Sequence, residues 1–187
     1  MARMKGNLLI VLPVALVAAC GDQSPATPEA PDTELTEAVA EPIIEGVDDA
    51  SYLAQAGGGD RFEIESSRAI LAKTEDGAVK DFARKMVEAH TASTEKLKAA
   101  AAKANLNVTP PALTPEQDVT LKSIRSASAA DATATYLQAQ RKAHADALTL
   151  HRTYAEQGKT PALKTAAGEI APVVEEHIQM LDKLPGA

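Results

Sequence analysis

Four long segments of this chain repeat apolar residues every three or four positions, the spacing at which side chains share one face of an α-helix. The first runs from about Ala50 to Lys73 and the second from about Asp76 to Ala104, with Val79, Phe82, Met86, His90, Leu97 and Ala101 on its stripe. The third runs from about Ala129 to Gln157 and carries Leu137, His144, Leu148, His151 and Ala155; the fourth, about Pro161 to Leu184, carries Ile170, Val174, His177 and Leu181. No stretch alternates β-branched with polar residues as a half-buried strand does. Amphipathic helices of this length bury their stripes against one another, so the pattern predicts an all-α, four-helix bundle. All four histidines of the chain fall on these stripes. Three separate helices therefore aim imidazoles at the core, the place where helical bundles build metal and cofactor sites.

Breaker residues divide the segments. Gly57-Gly58-Gly59 lies inside the first and predicts a break there; with no preceding strand and the wrong spacing, it is not a phosphate-binding loop. Asn105 to Pro111 ends the second segment with turn and breaker residues. Thr114-Pro115-Glu116-Gln117 then supplies an N-cap, a proline at the first helical position and a capping-box glutamine, opening a short extra helix to about Ser126. Gly158 suits the left-handed residue that terminates a helix, and Thr160-Pro161 caps and starts the last one. Gly158-Lys159-Thr160 is not a P-loop, because Thr153 stands where the earlier glycine is required. Pro172 is expected to kink the last helix ahead of His177.

The N-terminal region is of another kind. Arg3 and Lys5 precede an apolar run of about ten residues, too short to span a bilayer, which takes roughly 20. Val17-Ala18-Ala19-Cys20-Gly21 closes it and resembles the lipobox of bacterial lipoproteins. That resemblance implies cleavage before Cys20, lipidation of its thiol and acylation of its amine, so that residues 1–19 are a signal peptide. Two or three acyl chains hold a protein stably on a membrane without spanning it. The expected location is the bacterial envelope, lipid-anchored and facing the periplasm, with Gly21 after the cysteine resembling an outer-membrane address. Cys20 is the sole cysteine, so the folded part has neither disulfide nor thiolate chemistry. Residues 20–46 read as a disordered tether: four prolines among Ala, Thr and seven acidic residues, with no Lys or Arg, cannot bury enough apolar surface to fold. The tether's seven acids and the leader's two bases leave about −2 of the formal net charge of −7 for the domain, residues 47–187. A nearly neutral domain argues against nucleic acid as a partner. The charged side chains of the second segment, Lys80, Arg84, Lys85, Glu88, Glu95, Lys96 and Lys98, read as a solvated helix face.

Phe62 to Ser67, Phe82 to Thr91 and the block from His144 to Lys164, completed by His177, are similar to a known envelope family. In the block, Leu148, Leu150-His151, Tyr154-Ala155 and Gly158-Lys159-Thr160-Pro161 carry the pattern. The chain so resembles the ferritin-like domain-of-unknown-function family 4142, from about Asp48 to Leu184. The resemblance implies a ferritin-like four-helix bundle and no established activity. One departure bears on function: the family usually has Asp before the second-helix histidine, where this chain has Ala89.

Dinuclear ferritin-like oxidases require a Glu three residues before a histidine on two helices. Val87, Arg141 and Val174 occupy those positions before His90, His144 and His177, so the motif is absent. A mononuclear site remains, with Glu63, His90, His144 and His177 giving one ligand per helix to a Zn, Cu or Fe ion; Glu65 is the alternative carboxylate. His151 lies about 10 Å along the helix from His144, too far to share the ion. Against this stands a hydrogen-bonded network in which Ser66, Ser67, Thr91, Gln140 or Tyr154 satisfies the rings, since buried polar groups are normally paired. No G-x-S-x-G or free cysteine offers a nucleophile. The sequence thus points first to a non-enzymatic binding, envelope-maintenance or stress role, with a protein partner or homo-oligomer left open. The alternative is a metalloprotein that binds or oxidises a transition metal. An exposed apolar patch would mark the first, and ring nitrogens converging on one point would mark the second.

Overall fold

The computed structural model describes residues 48–184; the leader, Cys20 and the tether lie outside the described residues. Five helices follow in order: α1 (Asp49–Leu71), α2 (Gly77–Lys103), α3 (Pro115–Ser126), α4 (Ala129–Gln157) and α5 (Pro161–Leu181). This is the all-α bundle that the apolar periodicity dictates. Starts are set by side chains that accept the otherwise unpaired N–H groups of a first turn. Asp48 caps α1, Asp76 caps α2 and Ser128 caps α4, while Thr114 and Gln117 form the expected reciprocal box on α3. Asn105, with φ of 56°, ends α2 in the left-handed region that Asn tolerates better than most residues.

Two apolar clusters fix the topology. Tyr52 of α1, Leu97 of α2, Tyr154 of α4 and Leu163 of α5 pack together at one end of the bundle. Ile70, Val79, Tyr136 and Leu181, from the opposite ends of the same four helices, pack with Ile124 of α3 at the other. Each of α1 and α5 therefore runs antiparallel to both α2 and α4. Helix α2 finishes at one end while α4 begins at the other, so the connection through Asn105–Thr114 and α3 traverses the bundle's length, packing against α1 and α4. One long crossover is the connectivity of ferritin-like bundles.

Three expectations are corrected. Helix α1 runs unbroken through Gly57-Gly58-Gly59. Tertiary packing overrides the helix-breaking tendency here: a Cβ on Gly58 would meet the Ala112 carbonyl oxygen at 2.6 Å, and one on Gly57 would meet Pro111 Cβ at 3.2 Å. The glycines let the α2–α3 connection lie directly on the helix. Gly158 adopts φ −58° and ψ 153°, not a left-handed conformation; it is required instead because a Cβ would collide with the carbonyl and ring of Tyr154. Thr160 makes no capping bond; its hydroxyl donates to Asp49, which also accepts from Tyr154, tying the α4–α5 turn to the start of α1. Helix α5 continues past Pro172, whose missing N–H removes the bond to the Gly168 carbonyl.

Candidate metal centre

Between the two apolar clusters the bundle carries a belt of buried polar side chains. Asp60 and Glu63 come from α1, His90 from α2, Gln140 and His144 from α4, and His177 from α5, none more than 6% exposed. Burying such groups without partners costs roughly 1–3 kcal/mol each, so where their hydrogen bonds go is informative.

His90 Nδ1 stands 2.8 Å from Asp60 Oδ1, and Thr94 donates to the other Asp60 oxygen at 3.1 Å. His144 Nδ1 lies 2.9 Å from the Gln140 carbonyl oxygen. A carbonyl can only accept, so that ring carries its proton on Nδ1 and presents a lone pair at Nε2. The carboxylate sets the same tautomer on a neutral His90. His144 Nε2 in turn faces His177 Nδ1 at 3.4 Å. The three ring centroids form a nearly equilateral triangle, with separations of 5.6, 5.6 and 5.4 Å. One nitrogen from each ring lies within 4.8 Å of the other two. Two nitrogens on one tetrahedral ion, each about 2.0–2.1 Å from it, stand roughly 3.3 Å apart; the His144–His177 pair is already at that separation. His90 Nε2 and His177 Nε2 have no hydrogen-bond partner among the described residues.

Glu63 stands beside this triangle rather than in it. Its Oε1 is 3.8 Å from His144 Nδ1, the nitrogen facing away from the cluster, and its Oε2 accepts from Gln140 Nε2 at 2.5 Å. Glu63 Oε1 is also without a hydrogen-bond partner. Glu65 is excluded as the alternative: it pairs with Arg61 and Arg125 at the surface. His151, at the next level of α4, bonds Tyr52 through Nδ1 at 3.0 Å and stays out of the cluster. Tyr52 stacks on Tyr154 with centroids 3.8 Å apart.

Electrostatics divides the four imidazoles. Burial drives His177 down to about 3, reinforced by His90, His144 and Lys85, and takes His151 down to about 4. Burial likewise lowers His144, with Glu63 opposing. Burial would lower His90 too, but the Asp60 hydrogen bond and the charges of Glu63 and Asp60 outweigh it and raise this histidine. The only ion-pair partners of Asp60 and Glu63 among the described residues are imidazoles. Two buried carboxylates thus stand behind the His90 and His144 rings, an arrangement suited to a bound dication.

A cavity of about 420 Å³ opens over the cluster, and Glu63, His90, His144 and His177 line it. Exposed Gln55, Thr114 and Asp146 also border it, so it reaches the surface.

A match to the family described as a domain of unknown function, DUF4142, spans residues 29–184. The chain belongs to the DUF4142 family. No curated protein matches the sequence. Among solved structures, the bundle is similar to a DUF305 fragment from Deinococcus radiodurans, with a TM-score of 0.63 at 10% identity over 72% of this chain and 92% of that one. A DUF305 protein from Streptomyces coelicolor is similar at a TM-score of 0.59 and 16% identity, covering 72% and 88%. At such identities the likeness is one of fold. In this DUF4142 domain Ala89, the residue before His90, lines the cavity, and the carboxylate on His90 comes from α1 as Asp60. The sequence reading missed Asp60. The available signal was its place three residues before Glu63, on the same helix face.

Proposed function

We propose that this chain is a bacterial lipoprotein that binds one transition-metal dication inside its bundle through His90, His144 and His177. The observation that carries the reading is the convergence of three ring nitrogens within 4.8 Å of one another, so that each lies within about 3 Å of a common point, beside two buried carboxylates. Asp60 serves as the outer partner that orients His90, the arrangement seen around most metal-bound histidines. Glu63 adds compensating negative charge. Nitrogen donors of this kind suit Zn, Cu or Fe. A purely hydrogen-bonded belt pairs His90 Nδ1, His144 Nδ1 and His177 Nδ1, yet leaves His90 Nε2 unpaired. The lead expectation of an apolar docking surface has less support: the large exposed hydrophobics are Val108, Val119 and Val173, on three different segments.

The site is one of binding, held off the membrane by a lipid on Cys20 and the acidic tether. No helix among the described residues is long and apolar enough to cross a membrane. Zinc titration and elemental analysis of the chain, purified without a histidine tag, test the centre. Near one equivalent of bound zinc, lost in His90→Ala/His144→Ala, is the expected result; a wild type that takes up no zinc, or a double variant that binds it equally, overturns the reading. Cys20→Ser is expected to move the chain from the membrane to the soluble fraction on cell fractionation.

A further inference from the structure

We propose that the cavity over the three-histidine centre binds a small neutral molecule with a nitrogen-donor head and an apolar body, its donor atom completing the metal's coordination. The inference rests on the metal reading above and goes further by naming what the site accepts. Three protein nitrogens leave one position of a tetrahedral ion open, the property that separates sites able to take an outside ligand from closed structural ones. His90, His144 and His177 all line the same cavity, so an ion they hold has access to it.

The cavity, at about 420 Å³, falls within the range of small-molecule sites, roughly 300–1,000 Å³. Much of its wall is apolar, with Ala89 from α2, Ala143, Ala147 and Leu150 from α4, and Ile170 and Val174 from α5, while Gln55, Thr114, Gln117 and Asp146 add polar groups. The small side chains of Ala89, Ala143 and Ala147 leave the space open. Ser93 Oγ is buried, borders the cavity and has no hydrogen-bond partner, which adds a second polar contact beside the metal end.

Charge selects the class of donor. A dication with the Asp60 and Glu63 carboxylates is already balanced, and neither carboxylate pairs with a Lys or Arg among the described residues. An anionic head would bring an uncompensated negative charge into a buried site, which is strongly unfavourable. A neutral nitrogen donor brings none, and its apolar body gains by leaving water.

The test uses the full chain loaded with Co(II), whose visible absorption reports its coordination, titrated with 4-phenylimidazole, imidazole and benzoate. The expected order is 4-phenylimidazole binding at least about tenfold tighter than imidazole, since its ring is buried in the cavity, with benzoate weaker than both. Ala147→Phe should erase the advantage of the phenyl group while the Co(II) spectrum remains. Should that variant fail to fold, the comparison of ligands on the wild type decides by itself. Equal affinities for imidazole and its phenyl derivative, tighter binding of benzoate, or release of cobalt by every ligand would overturn the proposal and leave the metal reading intact. Failure to form a Co(II) complex at all sinks the metal reading, and the proposal with it.

Discussion

Asp60 sits where α1 passes the ring of His90, and its carboxylate acts on the candidate centre twice. By accepting from Nδ1 at 2.8 Å it fixes which nitrogen keeps a lone pair, and by its charge it raises the ring's basicity. Asp60→Asn keeps an acceptor but loses the charge. Zinc affinity, measured by competition with a chromophoric chelator, is expected to fall about 10- to 100-fold, the usual effect of removing an outer-sphere partner, while helical content stays unchanged. An unaltered affinity would reduce Asp60 to a packing role. The histidines were legible in the sequence because a 3.6-residue period puts them on the buried stripes whatever the bundle's detail. Asp60 was not, because its partnership with His90 depends on how α1 and α2 are offset along their axes. The spacing to Glu63 puts Asp60 on the inward face of α1, but the offset that brings it to His90 is set by core packing between two helices and appears in neither one's pattern. The bond between Tyr52 and His151 was hidden in the same way, since 99 residues of chain separate its two ends.

At the level of elements the start of α3 was readable, since its cap is written within four residues and Thr114 with Gln117 formed the box that its spacing implied. The ends read at Gly158 and Thr160 were not, because tertiary contacts with Tyr154 and Asp49 decide them. Interior glycines were not readable, because their meaning lies in what crosses over them. The triplet in α1 makes a paired prediction possible. Gly59 has open space where a Cβ would go, so Gly59→Ala should stabilise by about 0.5–1 kcal/mol through helix propensity alone. Gly58→Ala gains the same propensity but drives its methyl into the Ala112 carbonyl at 2.6 Å. The connection must lift, and a net loss of about 1–3 kcal/mol is expected, as for overpacking in other cores. Urea denaturation of the two variants checks both signs. If Gly58→Ala is as stable as Gly59→Ala, the α2–α3 connection does not rest on α1 as described. Gly58 also borders the cavity, so a lifted connection would widen the mouth over the histidines.

Taken over the whole molecule, the buried histidines make the metal-free bundle sensitive to acid. His177 and His151 are held down to about 3 and about 4, and His144 is lowered in the same direction, chiefly by burial. An unfolded chain titrates all of them near 6.5. As pH drops below about 6.5, the unfolded chain takes up protons that the native bundle refuses, and by linkage the bundle loses stability until the folded values are reached. His90 runs the other way: its raised value adds stability below about 6.5 that disappears as pH rises through the folded value. Three lowered groups against one raised group give a net loss on acidification. His151 isolates the effect, since it bonds Tyr52 and stands apart from the three-nitrogen cluster. With a folded value of about 4, its share of the loss between pH 7 and pH 5 is on the order of 1–2 kcal/mol. His151→Gln retains an acceptor for the Tyr52 hydroxyl but cannot titrate. Chemical denaturation of both chains without metal, at pH 7 and pH 5, should show the wild type losing more stability than the variant by about that amount. Equal losses would mean that His151 is protonated as readily in the fold as out of it, and that the bundle admits water at this level. Such an opening would undercut the low-dielectric belt on which the charge balance of the candidate metal centre depends.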